Sequence, residues 1–351
     1  YGSTIVGWYF ALNLTTGEEL WARNHTHMVG GDTSYVEAHA GVVVAGSQGQ
    51  QGGGNKATIG IDASNGDKLW EYTLDNQRVW NVMPMFPDDD TTVFMDLSGG
   101  VYRLGLHNGS VIWAHPGRLS FSDGGLVLGP DGDIYTCSNP LWRIGLEGTG
   151  GVLRKFALAD GRKMWESPLP YPCNSWPAVS NDGSTVVVVP GSFNDNPPTL
   201  RALQLGLVDA EDAEEFHRMI MNQGLAQRSK IGLPDLRAAI MTFDTTTGAE
   251  LLRHDVVPWG EVASAGDEEG LMVRMKYHSN RVICLPAHWS SPTIDSSGAV
   301  YVGRTDGRLY RFTSTGEASY VTGAGPLHSG ATFAPGMMAY TDCDSLYVYH
   351  M

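Results

Sequence analysis

The chain has 351 residues, of which 44 are Gly and 18 are Pro, and 42% are hydrophobic and 17% charged. Its 38 acidic residues against 23 basic ones leave a formal net charge of −15, which argues against a phosphate-binding surface and hence against a nucleic-acid partner. No run of about 18 or more apolar residues occurs, so no membrane span is expected.

Taken in chain order, the sequence repeats one phrase: an apolar strand, a tight turn ending in Gly, and an aromatic residue four positions later. It opens in the middle of a strand pattern, at Ser3-Thr4-Ile5-Val6-Gly7-Trp8-Tyr9-Phe10-Ala11. Leu12-Asn13-Leu14-Thr15-Thr16-Gly17-Glu18-Glu19-Leu20-Trp21 is the first full copy. After the strand Val42-Val43-Val44-Ala45 comes the second, Ile61-Asp62-Ala63-Ser64-Asn65-Gly66-Asp67-Lys68-Leu69-Trp70. Residues 104–113 and 156–165 are the third and fourth, ending in Trp113 and Trp165. Beyond the strand Thr185-Val186-Val187-Val188-Val189, the turn Phe243-Asp244-Thr245-Thr246-Thr247-Gly248 carries Leu252 in the aromatic position. The sixth, Tyr310-Arg311-Phe312-Thr313-Ser314-Thr315-Gly316, is one residue shorter and is followed by Tyr320. Residues 330–350 add a further set of strands. Gly can take the positive φ that such turns need, and Thr, Asn and Asp before it favour turn geometry.

The turn glycines are 49, 43, 52, 87 and 68 residues apart, and the shortest spacing matches a propeller blade of roughly 40–45 residues. The sequence therefore predicts an all-β fold, a β-propeller of four-stranded antiparallel blades in one domain over residues 1–351. Seven blades are favoured, with six or eight left open. Two insertions explain the long spacings. Residues 205–237 predict a short helix, with Asp209 as N-cap, Glu211, Glu214 and Glu215 in the first turns, and Phe216, Met219 and Ile220 on one face. Residues 256–283 predict a loop with Trp259 and an acidic patch at 267–269.

The pattern apolar-Asp-x-x-Thr-Gly-x-x-x-Trp resembles the repeat of the pyrroloquinoline-quinone (PQQ) propeller family, across nearly the whole chain apart from the insertions. That family holds quinoprotein alcohol dehydrogenases, a bacterial outer-membrane assembly scaffold and many extracytoplasmic domains without assigned chemistry. The resemblance implies that Trp21, Trp70, Trp113 and Trp165 pack between adjacent blades, each indole N–H reaching a neighbouring turn. It also implies the parts a quinoprotein enzyme would show: adjacent cysteines over the cofactor, a Trp below it, calcium ligands and an Asp base. No Cys-Cys pair occurs, and His288 or His328 as the base of a sugar-oxidising type has no matching local motif. No catalytic residue is assigned, and PQQ with calcium is an option without motif support.

Asn13, Asn24 and Asn108 each begin an N-glycosylation triplet. In a propeller, the inter-blade loops and the loops joining second to third strands share one face. Cys137 and Cys343 are expected in the latter, Cys173 and Cys284 in the former. The expectation is two disulfides, Cys137–Cys173 and Cys284–Cys343, against the alternative of buried free thiols. Both features point to a secreted protein or an endomembrane lumen, with a bacterial periplasm as the alternative.

Just before each inner strand an aromatic or His recurs: Tyr35, Trp80, Phe121, Trp176, Trp289 and His328. Such a ring could stack a flat quinone or a sugar, or plug the channel. His25-Thr26-His27 has no identifiable third metal ligand, and the acidic turns 88–90 and 131–133 read as solvated, so no metal site is assigned. The functional expectation is a non-catalytic extracytoplasmic propeller that binds a protein partner or scaffolds an assembly. A PQQ-dependent alcohol or sugar dehydrogenase, or its remnant, is the alternative, and a carbohydrate-binding propeller the second.

Overall fold

The computed structural model describes residues 1–30, 35–50, 53–122, 125–140, 150–191, 237–258, 290–304, 306–313, 315–316, 318–322, 330–341 and 345–350. Strands and turns are the only regular elements among them. The predicted helical insertion at 205–237, apart from Arg237, and the loop insertion at 256–283, apart from 256–258, lie outside the described residues. The chain divides into two compact units, 1–147 with 151–168 and 148–150 with 169–351.

The first unit holds four antiparallel meander sheets. The first sheet is Gly2–Ser3, Trp8–Leu12 and Glu19–Asn24. The second is Val36–His39, Val42–Gln50, Gly54–Asp62 and Lys68–Thr73. The third is Thr91–Met95, Val101–Gly105 and Val111–His115, its innermost strand reduced to the Met85–Val93 bridge. In the fourth the inner strand is split into Ser120–Phe121 and Leu126–Leu128, both pairing with Ile134–Pro140, followed by Val152–Phe156 and Lys163–Pro168. Among its described residues the second unit holds three more. The fifth sheet is Ala178–Val179, Thr185–Val188, Ala239–Asp244 and Glu250–Asp255. The sixth is Thr293–Ile294, Val300–Gly303, Arg308–Phe312 and Ala318–Thr322, and the seventh Thr332–Ala334, Met337–Thr341 and Leu346–His350.

The uninterrupted Val and Ile runs follow from burial on both faces, because successive side chains of a strand point to opposite sides. Val42 and Val44 pack with Phe94, Tyr102 and Leu104 of the third sheet, while Val43 and Ala45 pack with Tyr9 and Ala11 of the first. The sixth sheet does the same: Val300 and Val302 join Val187 and Ile240 of the fifth, and Ala299 and Tyr301 join Met338 and Tyr340 of the seventh. Each unit is thus a stack of sheets sharing apolar layers.

All six turn glycines have positive φ, from 66° at Gly109 to 82° at Gly66. In the first five turns the Gly N–H donates to the carbonyl four residues back, as Gly17 does to Asn13 and Gly66 to Asp62. In the shortened sixth, Gly316 donates to Thr313, three residues back. Each of the first five hairpins carries a register shift beside its turn, which brings the residue four after Gly back into the ladder.

That residue closes the seam to the next sheet. Trp21 donates its indole N–H to the Ala63 carbonyl at 3.0 Å, Trp70 to Leu106 at 2.6 Å and Trp113 to Leu158 at 3.0 Å. Each ring lies over the next turn glycine. A Cβ on Gly66 would stand 2.5 Å from Trp21, one on Gly109 2.8 Å from Trp70, and one on Gly161 2.7 Å from Trp113. Trp70→Ala should destabilise by about 3–5 kcal/mol. Trp70→Phe, which keeps most of the ring but loses the N–H, should cost about 1 kcal/mol. Urea unfolding of both variants checks this order; a Trp70→Phe variant as stable as wild type would assign the seam to packing alone, and equal costs for the two variants would assign it to the N–H contact.

Candidate functional site

Four of the six residues expected on a ligand face are described, and they stand at different places relative to their strands. Tyr35 directly precedes Val36–His39, Phe121 ends Ser120–Phe121, and Trp176 stands two residues before Ala178–Val179. Trp80 follows Val79, which bridges to Asn55. Tyr35 is exposed and the other three are half-buried. The Trp176 backbone N–H donates to Ser291 Oγ at 3.3 Å, and Trp80 Nε1 is buried with no hydrogen-bond partner. Trp289 and His328 lie outside the described residues, as does His288. Neither of the two recesses described below is lined by any of these aromatics.

Two buried polar residues that the sequence reading passed over hold the loops around Trp80 and beyond. Asn55 accepts the Gly30 N–H at 2.8 Å and donates to the carbonyls of Gly30, Val79 and Trp80 at 2.7, 3.2 and 3.2 Å. Asp96 accepts from the backbone N–H groups of Ser98, Gly100 and Gly117 and from the Tyr102 hydroxyl, at 2.7–2.9 Å. Burial, then the Asp96 charge, pushes the Tyr102 hydroxyl far above the usual tyrosine range.

The acidic turns are solvent-exposed at Asp88, Asp89, Asp90 and Asp131, and some of their carboxylates also contact basic side chains. Arg103 donates to Asp88 at 2.9 Å, and the His39 ring nitrogen lies 2.9 Å from Asp89. Lys155, with 7% of its side chain exposed, sits 2.7 Å from Asp131 and 3.1 Å from Asp133, and the Tyr135 hydroxyl donates to Asp131 at 2.6 Å. Burial pushes the Asp131 carboxyl up, but hydrogen bonds from Lys155 and Tyr135 outweigh it and hold the group below the carboxylate range. Burial disfavours the Lys155 charge, and the hydrogen bonds to its acidic partners outweigh that and raise it. A turn carboxylate reaches a cation two strands away because the hairpin folds the third strand over it. Such a cluster locks a blade edge; its ammonium stays charged and is no base at neutral pH.

Among the described residues no group of three or more His, Cys, Asp or Glu is placed to hold a metal. His25 Nε2 is 2.7 Å from the Gly66 carbonyl, which ties the His25-Thr26-His27 segment to the next turn.

Cys137 and Cys173 are each disulfide-bonded and buried. Cys173 lies between Lys163–Pro168 and Ala178–Val179, as expected. Cys137 lies inside Ile134–Pro140, paired with Leu153, rather than in the loop beyond it. The strand runs further than its apolar residues because Ser120–Phe121 extends its pairing to Pro140. Cys284 and Cys343 lie outside the described residues. Asn24 and Asn108 are exposed, while Asn13 is half-buried and its Oδ1 accepts from Thr15 and Thr16.

The first unit has a recess of about 420 Å³ between the third and fourth sheets, with Arg118, Arg154, Arg162 and Lys163 around it. Glu166 neutralises Arg154 at 2.8 Å and Lys163 at 3.0 Å. The second unit has a cleft of about 560 Å³ between the fifth and sixth sheets, with Ile240, Leu252, Val300 and Phe312 as its apolar floor. Asp182 and Asp295 stand at its rim. Hydrogen bonds from Ser180 and Ser184 bring the Asp182 carboxyl down to about 2. At Asp295 burial acts upward and is outweighed by hydrogen bonds from Ser297 and Ala299.

The family model described as outer membrane protein assembly factor BamB matches residues 6–192. Among solved structures, the chain is similar to BamB from Moraxella catarrhalis at 15% identity and a TM-score of 0.64, over 99% of this chain and 80% of that one. It is similar also to the computationally designed Ika8 protein at 12% identity and a TM-score of 0.55, over 97% and 76%. At these identities the likeness is one of fold. No curated protein sequence matches.

Asp131→Asn should lower stability at pH 7 by about 1–3 kcal/mol. Because the folded-state pKa of Asp131 is depressed, this contribution is complete above the unfolded value near about 3.9 and is lost as pH falls through the folded value. Unfolding curves of wild type and variant should therefore converge toward the lowest pH, and a constant gap would rule the ion cluster out as its source. Peptide mapping without reduction should recover both Cys137 and Cys173 in disulfide-linked peptides; either one found alkylated and free would reject its oxidised state.

Proposed function

The chain belongs to the PQQ-repeat propeller family described as outer membrane protein assembly factor BamB, and on that premise we propose that it is a non-catalytic, extracytoplasmic propeller that binds protein partners within a larger assembly. The family match over residues 6–192 carries the protein-binding part of this reading. The oxidised state of Cys137 and Cys173 supports the compartment, since disulfides persist in secreted, lumenal and periplasmic proteins. The apolar surface of the first sheet supports a partner: Trp8, Leu12 and Leu20 are exposed by 46%, 48% and 63%, and Leu14 at the turn fully. In this reading both units are parts of a single propeller domain, and the inner-strand aromatics are structural.

The compartment divides into a secretory route, with glycan on Asn24 or Asn108, and a bacterial periplasm without it. Intact mass of native material before and after glycan removal distinguishes them.

PQQ with calcium should leave the thermal midpoint unchanged. A saturable rise in melting temperature would overturn the non-catalytic reading in favour of a quinoprotein. Native mass measurement from the source envelope or secretory fraction should find the chain in a stoichiometric complex above its own 37.9 kDa. A monomer in every fraction would overturn the assembly reading.

A further inference from the structure

Within the first unit, consecutive sheets are joined at their outer edges by one device used three times. Trp21, Trp70 and Trp113 each lie over the next turn glycine and donate to the carbonyl three residues before it. The seam between the fifth and sixth sheets departs from this at both partners. Leu252, four residues after Gly248, stands where the indole would be. The receiving turn is one residue short, with Gly316 bonded to Thr313. Among the described residues, no atom outside Gly316 and its chain neighbours lies within 4 Å of the point its Cβ would occupy, whereas Gly66, Gly109 and Gly161 all meet an indole there.

The volume left unfilled is the 560 Å³ cleft, which Leu252, Thr313 and Gly316 all line. That size falls within the range of about 300–1,000 Å³ for sites that take small ligands. Ile240, Leu252, Val300 and Phe312 give it an apolar surface, so a flat ring set against them gains burial. The Thr313 carbonyl, already accepting from Gly316, keeps a second lone pair for an N–H donor. Around the mouth, Asp182 and Asp295 are held ionised by their own turn hydrogen bonds.

We propose that this cleft receives a tryptophan side chain from a partner protein, carried on a segment with basic residues beside it. The indole takes the place that Trp21, Trp70 and Trp113 fill from within the chain, and the basic flank meets the two rim carboxylates. The proposal rests on the protein-binding reading above and names the chemistry of one contact within it.

Calorimetric titration with the blocked peptides Lys-Trp-Lys, Glu-Trp-Glu and Lys-Leu-Lys tests it. Lys-Trp-Lys should bind saturably, one per chain, at least tenfold tighter than Lys-Leu-Lys. It should bind at least threefold tighter than Glu-Trp-Glu, with that second margin shrinking at high salt. Leu252→Trp supplies the missing indole from the chain itself, so it should raise the thermal midpoint and weaken Lys-Trp-Lys at least tenfold. Should that variant not fold, a photoreactive Lys-Trp-Lys on wild type should label residues 180–185, 251–254 or 294–298. No saturable binding of Lys-Trp-Lys, or labelling confined to other segments, overturns the proposal. If the native complex persists while no peptide binds, the cleft proposal fails alone; if the peptides bind but no native complex exists, the assembly reading fails alone.

Discussion

The indole seated over a glycine, with its N–H on a carbonyl of the same turn, is the contact from which the rest of the first unit follows. It demands three things of the sequence at once. The turn must end in Gly, because the backbone there has positive φ and a Cβ would collide with the ring, as at Gly66 and Gly109. The hairpin must carry a register shift so that the Trp four residues on faces the next sheet. The next turn must leave a carbonyl open, as Ala63, Leu106 and Leu158 do. Burying one such ring removes about 150–250 Å² from water, an upper bound of about 4–6 kcal/mol per seam. Adjacent sheets are thereby fixed in angle and height, and the apolar layers between them form in register.

Those layers explain how a chain carrying a net charge of −15 stays compact. Valine runs such as 42–44 are buried on both faces, while acidic side chains gather at turns such as 88–90 and 131–133. There the acidic turns take up cations from their own blades, Arg103 at Asp88 and Lys155 at Asp131 and Asp133. The turns thus serve both the covalent reversal of the chain and the neutralisation of its few buried cations. At Asp182, which pairs with no cation among the described residues, neighbouring serine hydroxyls and N–H groups stabilise the charge.

Repetition gives every departure a reference inside the same molecule. A half-buried leucine is ordinarily unremarked; at residue 252 it stands where four sister positions hold Trp, and a cleft lies beside it. The family tie and the oxidised cysteines locate the protein among extracytoplasmic assembly factors in the proposed reading, and the fifth seam supplies a place on it where partner chemistry differs from generic surface.

Local periodicity was enough to read the all-β class, the hairpins, the positive-φ glycines and the Trp that joins one sheet to the next, because each depends on residues within five positions of one another. The shortened sixth turn and the leucine at 252 were equally visible as letters. That they leave a cleft between two sheets depends on chain segments more than 60 residues apart in sequence, Leu252 and Gly316, meeting at one seam. The same limit hid Asn55, whose partners Gly30 and Val79 come from two other loops, and Lys155, whose acidic partners lie 24 and 22 residues earlier across two strands. It also placed Cys137 in a loop when it belongs to a strand, since the pairing that holds it there comes from Leu153 of the following strand, with Ser120–Phe121 extending the strand beyond it to Asn139 and Pro140. Sequence alone determined the repeating unit; the tertiary structure decided which polar groups and which vacancies meet, because those depend on how non-adjacent units are brought edge to edge.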